Sequence, residues 1–212
     1  MEPFIRSDQY NFIKAQTKIL INGHSTVNDR DVLNALKSLA IEKVVNLFSD
    51  ISEEQMQLLN PIMKVEDKEN AQEFLLKLKP YVIPFKEITD KTIKKLFPKA
   101  KKLKVPSLED IDLKETSYLG WTDKGSNKKY IIANFDNKLI GLQGTIKSTS
   151  QTGICALCNA HEETAMFISR TKGSRKDTFT KRGNYICQDS QKCNQNIITL
   201  DKLNDFILRL NG

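Results

Sequence analysis

A chain of 212 residues that is 39% hydrophobic and 28% charged can bury one or two modest cores, and none of its apolar runs approaches the ~20 residues of a membrane span. Its start, Met1-Glu-Pro-Phe-Ile-Arg-Ser-Asp, lacks the charged-then-apolar order of a signal peptide, so a cytoplasmic protein of two small domains is expected. The formal charge of +7 points to an anionic partner, whether RNA, DNA or an acidic protein surface, without choosing among them.

From Ser7 to about Leu78 apolar residues recur at helical spacing: Tyr10, Ile13, Thr17 and Leu20, then Val32, Leu36 and Leu39, then Val44, Leu47 and Phe48. Ser7-Asp8, Thr26 to Asp29 and Ser52-Glu53-Glu54 mark helix starts, because their side-chain oxygens can accept from free amides of a first turn. A further helical segment runs from about Asp67 to Leu78. Such helices can bury their stripes only against one another, which predicts an up-and-down bundle over residues 1–79.

Pro80, Pro84, Pro98 and Pro106 punctuate the middle, with a short helix expected from about Asp90 to Phe97. Lys91, Lys94, Lys95, Lys99, Lys101, Lys102 and Lys104 carry much of the charge excess, on a solvated helix face or an anion-binding one. Beyond Pro106 the pattern turns β-rich at Ser117 to Trp121, Lys128 to Phe135 and Lys138 to Ile146, with Asp136-Asn137 as a hairpin turn. Leu200, Leu203, Phe206, Ile207 and Leu210 then share one face of a last helix. The expected fold is α+β, the helical bundle being followed over 80–212 by an α/β domain.

Cys155, Cys158, Cys187 and Cys193 cluster in the last third, where a reducing compartment favours metal ligation over disulfides. Cys155-Ala-Leu-Cys158 reads as a knuckle, Cys187 as the end of a strand, and Cys193 as a ligand in the first turn of a helix. That order is a treble clef holding one structural zinc ion, and four thiolates leave no open position for water or substrate. No catalytic constellation competes with it. His161-Glu162 follows the Cys-x-x-Cys, whereas a zinc deaminase has its His-x-Glu first, and Ala165 stands where a metalloprotease needs a second histidine. A treble-clef nuclease would have only His161 to use. No Gly-rich phosphate loop or nucleophile elbow is present, so the expectation is a binding protein and not an enzyme.

Between the ligand pairs lie Arg170, Lys172, Arg175, Lys176, Lys181 and Arg182, interleaved with Phe179 and Tyr185, and Gly173-Ser174 suggests a hairpin tip. This pattern fits contact with RNA or docking on an acidic protein, or else a solvated hairpin with Tyr185 in the small core.

Several separated motifs, in order along nearly the whole chain, resemble the FusB/FusC family of elongation factor G-binding proteins linked to fusidic acid resistance. They are Asp8-Gln9-Tyr10-Asn11-Phe12-Ile13, Thr26-Val27-Asn28-Asp29, Tyr81-Val82-Ile83-Pro84-Phe85, Gly120-Trp121 with Asn127-Lys128-Lys129-Tyr130-Ile131-Ile132, and Gly183-Asn184-Tyr185-Ile186-Cys187-Gln188-Asp189-Ser190 with Cys193-Asn194. The resemblance implies the same bundle and zinc-finger architecture. It also implies binding to the C-terminal domains of elongation factor G, and release of that factor from the ribosome when fusidic acid stalls it. No long apolar stripe is left unassigned for a dimer, so a monomer is expected. The family's contact positions fall on Ile154, Arg182, Tyr185 and Phe206, where Ile154 replaces a Phe and Arg182 a Lys. Phe206 lies equally on the apolar stripe of the last helix. The alternative is a zinc-finger module that binds RNA or the ribosome directly.

Overall fold

The structure is a computed structural model that describes residues 1–100, 103, 105, 107–109, 111–172 and 179–211. Lys101, Lys102, Lys104, Pro106, Gly173, Ser174, Arg175 and Lys176, singled out above, lie outside the described residues. The chain divides into two compact units, Met1–Pro84 and Phe85–Gly212.

Four α-helices build the first unit: α1 (Ser7–Thr26), α2 (Arg30–Val45), α3 (Glu53–Leu59) and α4 (Lys68–Leu78), with 3-10 turns at Asn60–Lys64 and Lys79–Tyr81. Two of the expected start signals act as caps. Asp29 accepts from the amides of Asp31 and Val32, and Ser52 and Gln55 cap each other reciprocally; Asp67 accepts likewise from Asn70. The first helix starts at Ser7 as expected, but its cap position is Arg6 and neither Ser7 nor Asp8 is the cap. Gln9 Oε1 accepts from the Arg6 amide, and Asp8 is held by two 2.9 Å bonds from the Arg6 guanidinium, so it is not free to cap. Ile5, Tyr10, Ile13, Leu20, Val44, Leu59, Ile62, Phe74 and Leu78 form the core.

The stripe expected on α2 is rotated. Val32 and Leu39 are 45% and 43% exposed, and the buried positions are Ala40 and Val44. The helix approaches α1 at Gly23, where a Cβ would sit 2.8 Å from Leu36 Cδ1; this contact turns Leu36 and its neighbours inward and leaves Val32 and Leu39 at the margin. The unit also runs past Lys79 to Pro84. A parallel bridge joins Ile5 to Val82, and bonds from the Phe4 amide to the Tyr81 carbonyl and from the Ile83 amide to the Ile5 carbonyl tie this segment back to the chain start.

In the second unit α5 (Asp90–Leu96) precedes β1 (Tyr118–Asp123), β2 (Lys128–Phe135), β3 (Lys138–Ile154), β4 (His161–Lys172) and β5 (Phe179–Cys187), followed by α6 (Ser190–Asn196) and α7 (Asp201–Asn211). The strands form one antiparallel sheet in sequential order. Asp136 and Asn137 both have positive φ, 48° and 60°, as a two-residue type I′ hairpin requires. β3 outruns its expected end at Ile146 because it changes partner: its first half pairs with β2 and its second with β4, across a bulge between Ser148 and Gln151. The polar run Ser148-Thr149-Ser150-Gln151-Thr152 hides that extension from a hydrophobic pattern.

Both faces of the sheet are covered. On one, Leu119, Tyr130 and Ile132 pack with Phe85, Ile88, Ile93 and Phe97; Trp121 stacks on Tyr130 at 5.3 Å and Phe97 meets both rings edge-on. On the other, Tyr118, Ile131, Ala133, Leu142 and Phe167 pack with α6, α7 and the cysteines. The architecture is α+β, with the cysteine cluster built into this second core.

Candidate metal centre and its flanking surface

Cys155 follows directly from the end of β3, and the chain reverses within the next few residues. Asn159 takes the left-handed conformation, φ 59°, and its amide bonds the Cys155 carbonyl at 2.9 Å, which closes the knuckle. Cys187 ends β5, and its amide donates to Cys155 Sγ at 3.2 Å; the amide of Leu157 donates to the same sulfur at 3.3 Å. Asp189 caps α6 by accepting from the amides of Gln191 and Lys192, and this places Cys193 in the opening of that helix.

All four sulfurs lie within 4.8 Å of one another, with Cys155 to Cys193 at 3.8 Å and Cys158 to Cys187 at 3.7 Å. These separations are far beyond a disulfide bond of about 2.05 Å. They match the edge of a tetrahedron of thiolates about 2.3 Å from a central zinc, which is roughly 3.8 Å. The electrostatics also call for a cation. Hydrogen bonds from Cys158, Cys187 and Cys193 pull the Cys155 thiol far down, while the bonds that Cys187 and Cys193 make with Cys155 and Cys158 push those two far up. Four sulfurs this close can ionise together only around a metal.

Three groups around the cluster were not anticipated as site residues. The Lys129 side chain is 0% exposed, and its Nζ donates to the carbonyls of Cys187 at 3.2 Å and Gln188 at 2.9 Å. Burial pulls the pKa of this lysine down, and the sulfurs of Cys193 and Cys187 draw it back up. The Tyr118 hydroxyl is buried beside Cys193 and Ser190, and burial holds the phenol well above its ordinary pKa, hence neutral. Asn194 fastens α6 to β1: Oδ1 accepts from the amides of Ser117 at 2.7 Å and Tyr118 at 3.1 Å, and Nδ2 donates to the carbonyls of Tyr118 and Ser190, both at 2.9 Å. Gly120 permits this approach, since a Cβ there would lie 2.6 Å from Ser190 Oγ. The signal for Lys129 was present in the alternation of β2, which sets Lys129 on the inward face with Ile131 and Ala133.

The surface residues sort differently from expectation. Ile154 is 57% exposed and Tyr185 47% exposed, and they flank the knuckle; the amide of Ala156 donates to the Tyr185 carbonyl at 2.8 Å. Arg182 is partly buried, three positions before Tyr185 on a strand with unbroken register, so the two side chains leave β5 on opposite sides. Arg170 lies 5.4 Å over the exposed Phe179 ring and pairs in register with the exposed Lys181, while Lys172 ends β4 opposite Phe179. Phe206 is a correction. It is 0% exposed, with its ring 5.7 Å from that of Phe167, and so offers no surface to a partner. Glu162 accepts from Lys192 at 2.6 Å and from Asn196 at 3.0 Å, bonds that hold its carboxyl below the usual range and join β4 to α6. His161 is exposed opposite Ile154.

Residues 4–86 match the family model described as elongation factor G-binding protein, N-terminal, and residues 94–206 match that of the FBP C-terminal treble-clef zinc-finger. No curated protein matches the chain. Among solved structures, it is similar to that of the fusidic acid resistance protein FusC, with 34% identity over 98% of both chains and a TM-score of 0.86. The treble-clef match spans all four cysteines, which hold one structural zinc ion.

Proposed function

We propose that this chain, which belongs to the family of elongation factor G-binding proteins with a treble-clef zinc finger, binds elongation factor G through its zinc-stapled unit and promotes its release from the ribosome, including complexes stalled by fusidic acid. The observation that carries the reading is the pair Ile154 and Tyr185, two large apolar side chains left in solvent on either side of a knuckle fixed by zinc. An exposed aromatic on a rigid base loses little conformational entropy on docking and suits the centre of an interface. Arg182 adds a charge from the other side of β5. The knuckle lies along the outer edge of β5 at Tyr185, where the Ala156 amide bonds the Tyr185 carbonyl, so a partner meets Ile154 and Tyr185 together by approaching the knuckle. The exposed Arg170 and Lys181 and the net charge of +7 steer an acidic partner toward this surface. The protein acts in the cytoplasm as a monomeric adaptor, by binding and without catalysis.

Calorimetric titration of purified elongation factor G tests the reading. Micromolar or tighter binding is expected, weakened at least ~10-fold by Tyr185→Ala, and absence of heat at micromolar concentrations would sink it. Sedimentation of fusidic acid-stalled ribosome complexes then reports whether binding displaces the factor. The exposed Phe179 beneath Arg170 favours a second reading, direct RNA contact, in which affinity for RNA would fall steeply with salt and would not require the factor.

A further inference from the structure

The sheet face that carries the cysteines holds one feature that neither metal ligation nor partner binding uses, the buried ammonium of Lys129. Four thiolates and a zinc ion carry a formal charge of −2. Three of the ligands, Cys155, Cys187 and Cys193, are buried, so most of that charge is withdrawn from water. The amides of Leu157 and Cys187 that point at Cys155 Sγ offer partial positive charge only. The nearby ion pair of Lys192 with Glu162 is internally neutral, with Lys192 largely in solvent, and Asp189, which caps α6, is itself an anion. From β2, the Lys129 ammonium donates to the carbonyls of Cys187 and Gln188, in the turn that leads from the third ligand into the helix of the fourth. A lysine on an inward sheet position among Ile131, Ala133 and Leu142 is costly unless a compensating charge lies beside it.

We propose that Lys129 is the internal counter-charge of the zinc centre and the positioning residue for its Cys187-Gln188 turn, so that zinc retention and the low reactivity of the bound thiolates depend on its ammonium. The lysine and the metal centre are mutually compensating: each makes the burial of the other tolerable. Outer-shell partners of this kind typically change metal affinity by about 10- to 100-fold when removed.

The test uses the full-length zinc-loaded protein. Lys129→Met keeps the length and apolar stem and removes the charge. Ile131→Ala, two residues along the same face of β2, serves as the control for core loosening without loss of charge. Zinc transfer to a chromogenic chelator and alkylation of the bound thiolates by iodoacetamide are followed under conditions where circular dichroism shows each variant folded. The expectation is zinc release at least ~10-fold faster in Lys129→Met, with accelerated alkylation, while Ile131→Ala stays close to the wild type. Rates for Lys129→Met that match the wild type, or that match Ile131→Ala, overturn the proposal. Should Lys129→Met fail to fold, Lys129→Gln decides, since it keeps a hydrogen-bond donor and removes the charge: zinc release at least ~10-fold faster than the wild type upholds the assignment, and an unchanged rate overturns it.

Discussion

In Met1–Pro84 the core is assembled by four helices packed on one another, three of them started by a side-chain cap, whereas in Phe85–Gly212 the second core closes around sulfurs drawn from positions 155, 158, 187 and 193. The helical unit has Ile5, Ile13, Leu20, Leu59, Ile62 and Leu78 fully buried and no element that waits on a ligand. The zinc-stapled unit has a sheet with two covered faces, one of which is completed by α6 and α7, with the ligand on α6 beside the knuckle after β3. Helices specify themselves largely from local sequence; a treble clef has its geometry set by a bond network that the unfolded chain lacks.

The largest expected effect follows from that contrast. Removal of zinc, by chelation or by Cys193→Ser, takes away a binding free energy on the order of 10–16 kcal/mol, more than a small domain has to lose. The second unit should lose the packing of α6 and α7 on the sheet while the first keeps its helical circular dichroism. Limited proteolysis resolves the two, because cuts should appear beyond Phe85 and not in the helices before it. Cuts throughout the chain would show that the units are not independent in stability.

Next come matched core truncations. Phe206→Ala and Phe74→Ala each remove a buried ring and should each cost about 3–5 kcal/mol, but in different units. Trp121 is the sole tryptophan and lies in the second unit, so its fluorescence in a urea titration reports Phe206→Ala, and the helical signal reports Phe74→Ala. Each probe should move for its own variant alone. Asn194→Ala should be milder, roughly 2–4 kcal/mol, since it leaves buried amides of Ser117 and Tyr118 without their acceptor. It should shift the tryptophan transition and leave the helical one in place.

Much of this contrast is legible in the sequence, for unequal reasons. Cap residues such as Asp29 and Ser52 announce helices because the chemistry of a cap is local, and Cys-x-x-Cys with two later cysteines announces a metal because few other uses suit that spacing. Apolar periodicity names the residues of a stripe but not the neighbour it meets, so Val32 and Leu39 read as core and are half-exposed. By the same ambiguity periodicity alone leaves Phe206 between core and interface, and the Phe167 ring packed against it makes it core. The polar second half of β3 is a strand because β4 pairs with it, a long-range cause with no local mark. Lys129 was visible as a motif lysine, but its meaning needed the register that turns it inward and the fold that brings the Cys187 carbonyl to it.

Acid gives the smallest effect in one unit and a large one in the other. In the second unit protons compete with zinc for the thiolates, so falling pH favours metal loss and unfolding. In the first, Glu66 is held below the ordinary carboxylate range by a hydrogen bond from Lys37 Nζ at 3.0 Å, by the charge of Lys37 and by His24, and Glu73 likewise by Lys77 at 2.6 Å. A lowered folded-state pKa means the pair stabilises above the unfolded-state pKa, and the contribution disappears as pH falls through the folded value. Glu66 is exposed, however, and water and salt screen the pair. Glu66→Gln should therefore leave the neutral-pH urea midpoint of the helical unit unresolved from the wild type and flatten only its acid limb. A helical unit that unfolds in acid before the tryptophan signal changes would reverse the comparison, and would place the pH-sensitive element among the carboxylates of the bundle instead of at the zinc thiolates.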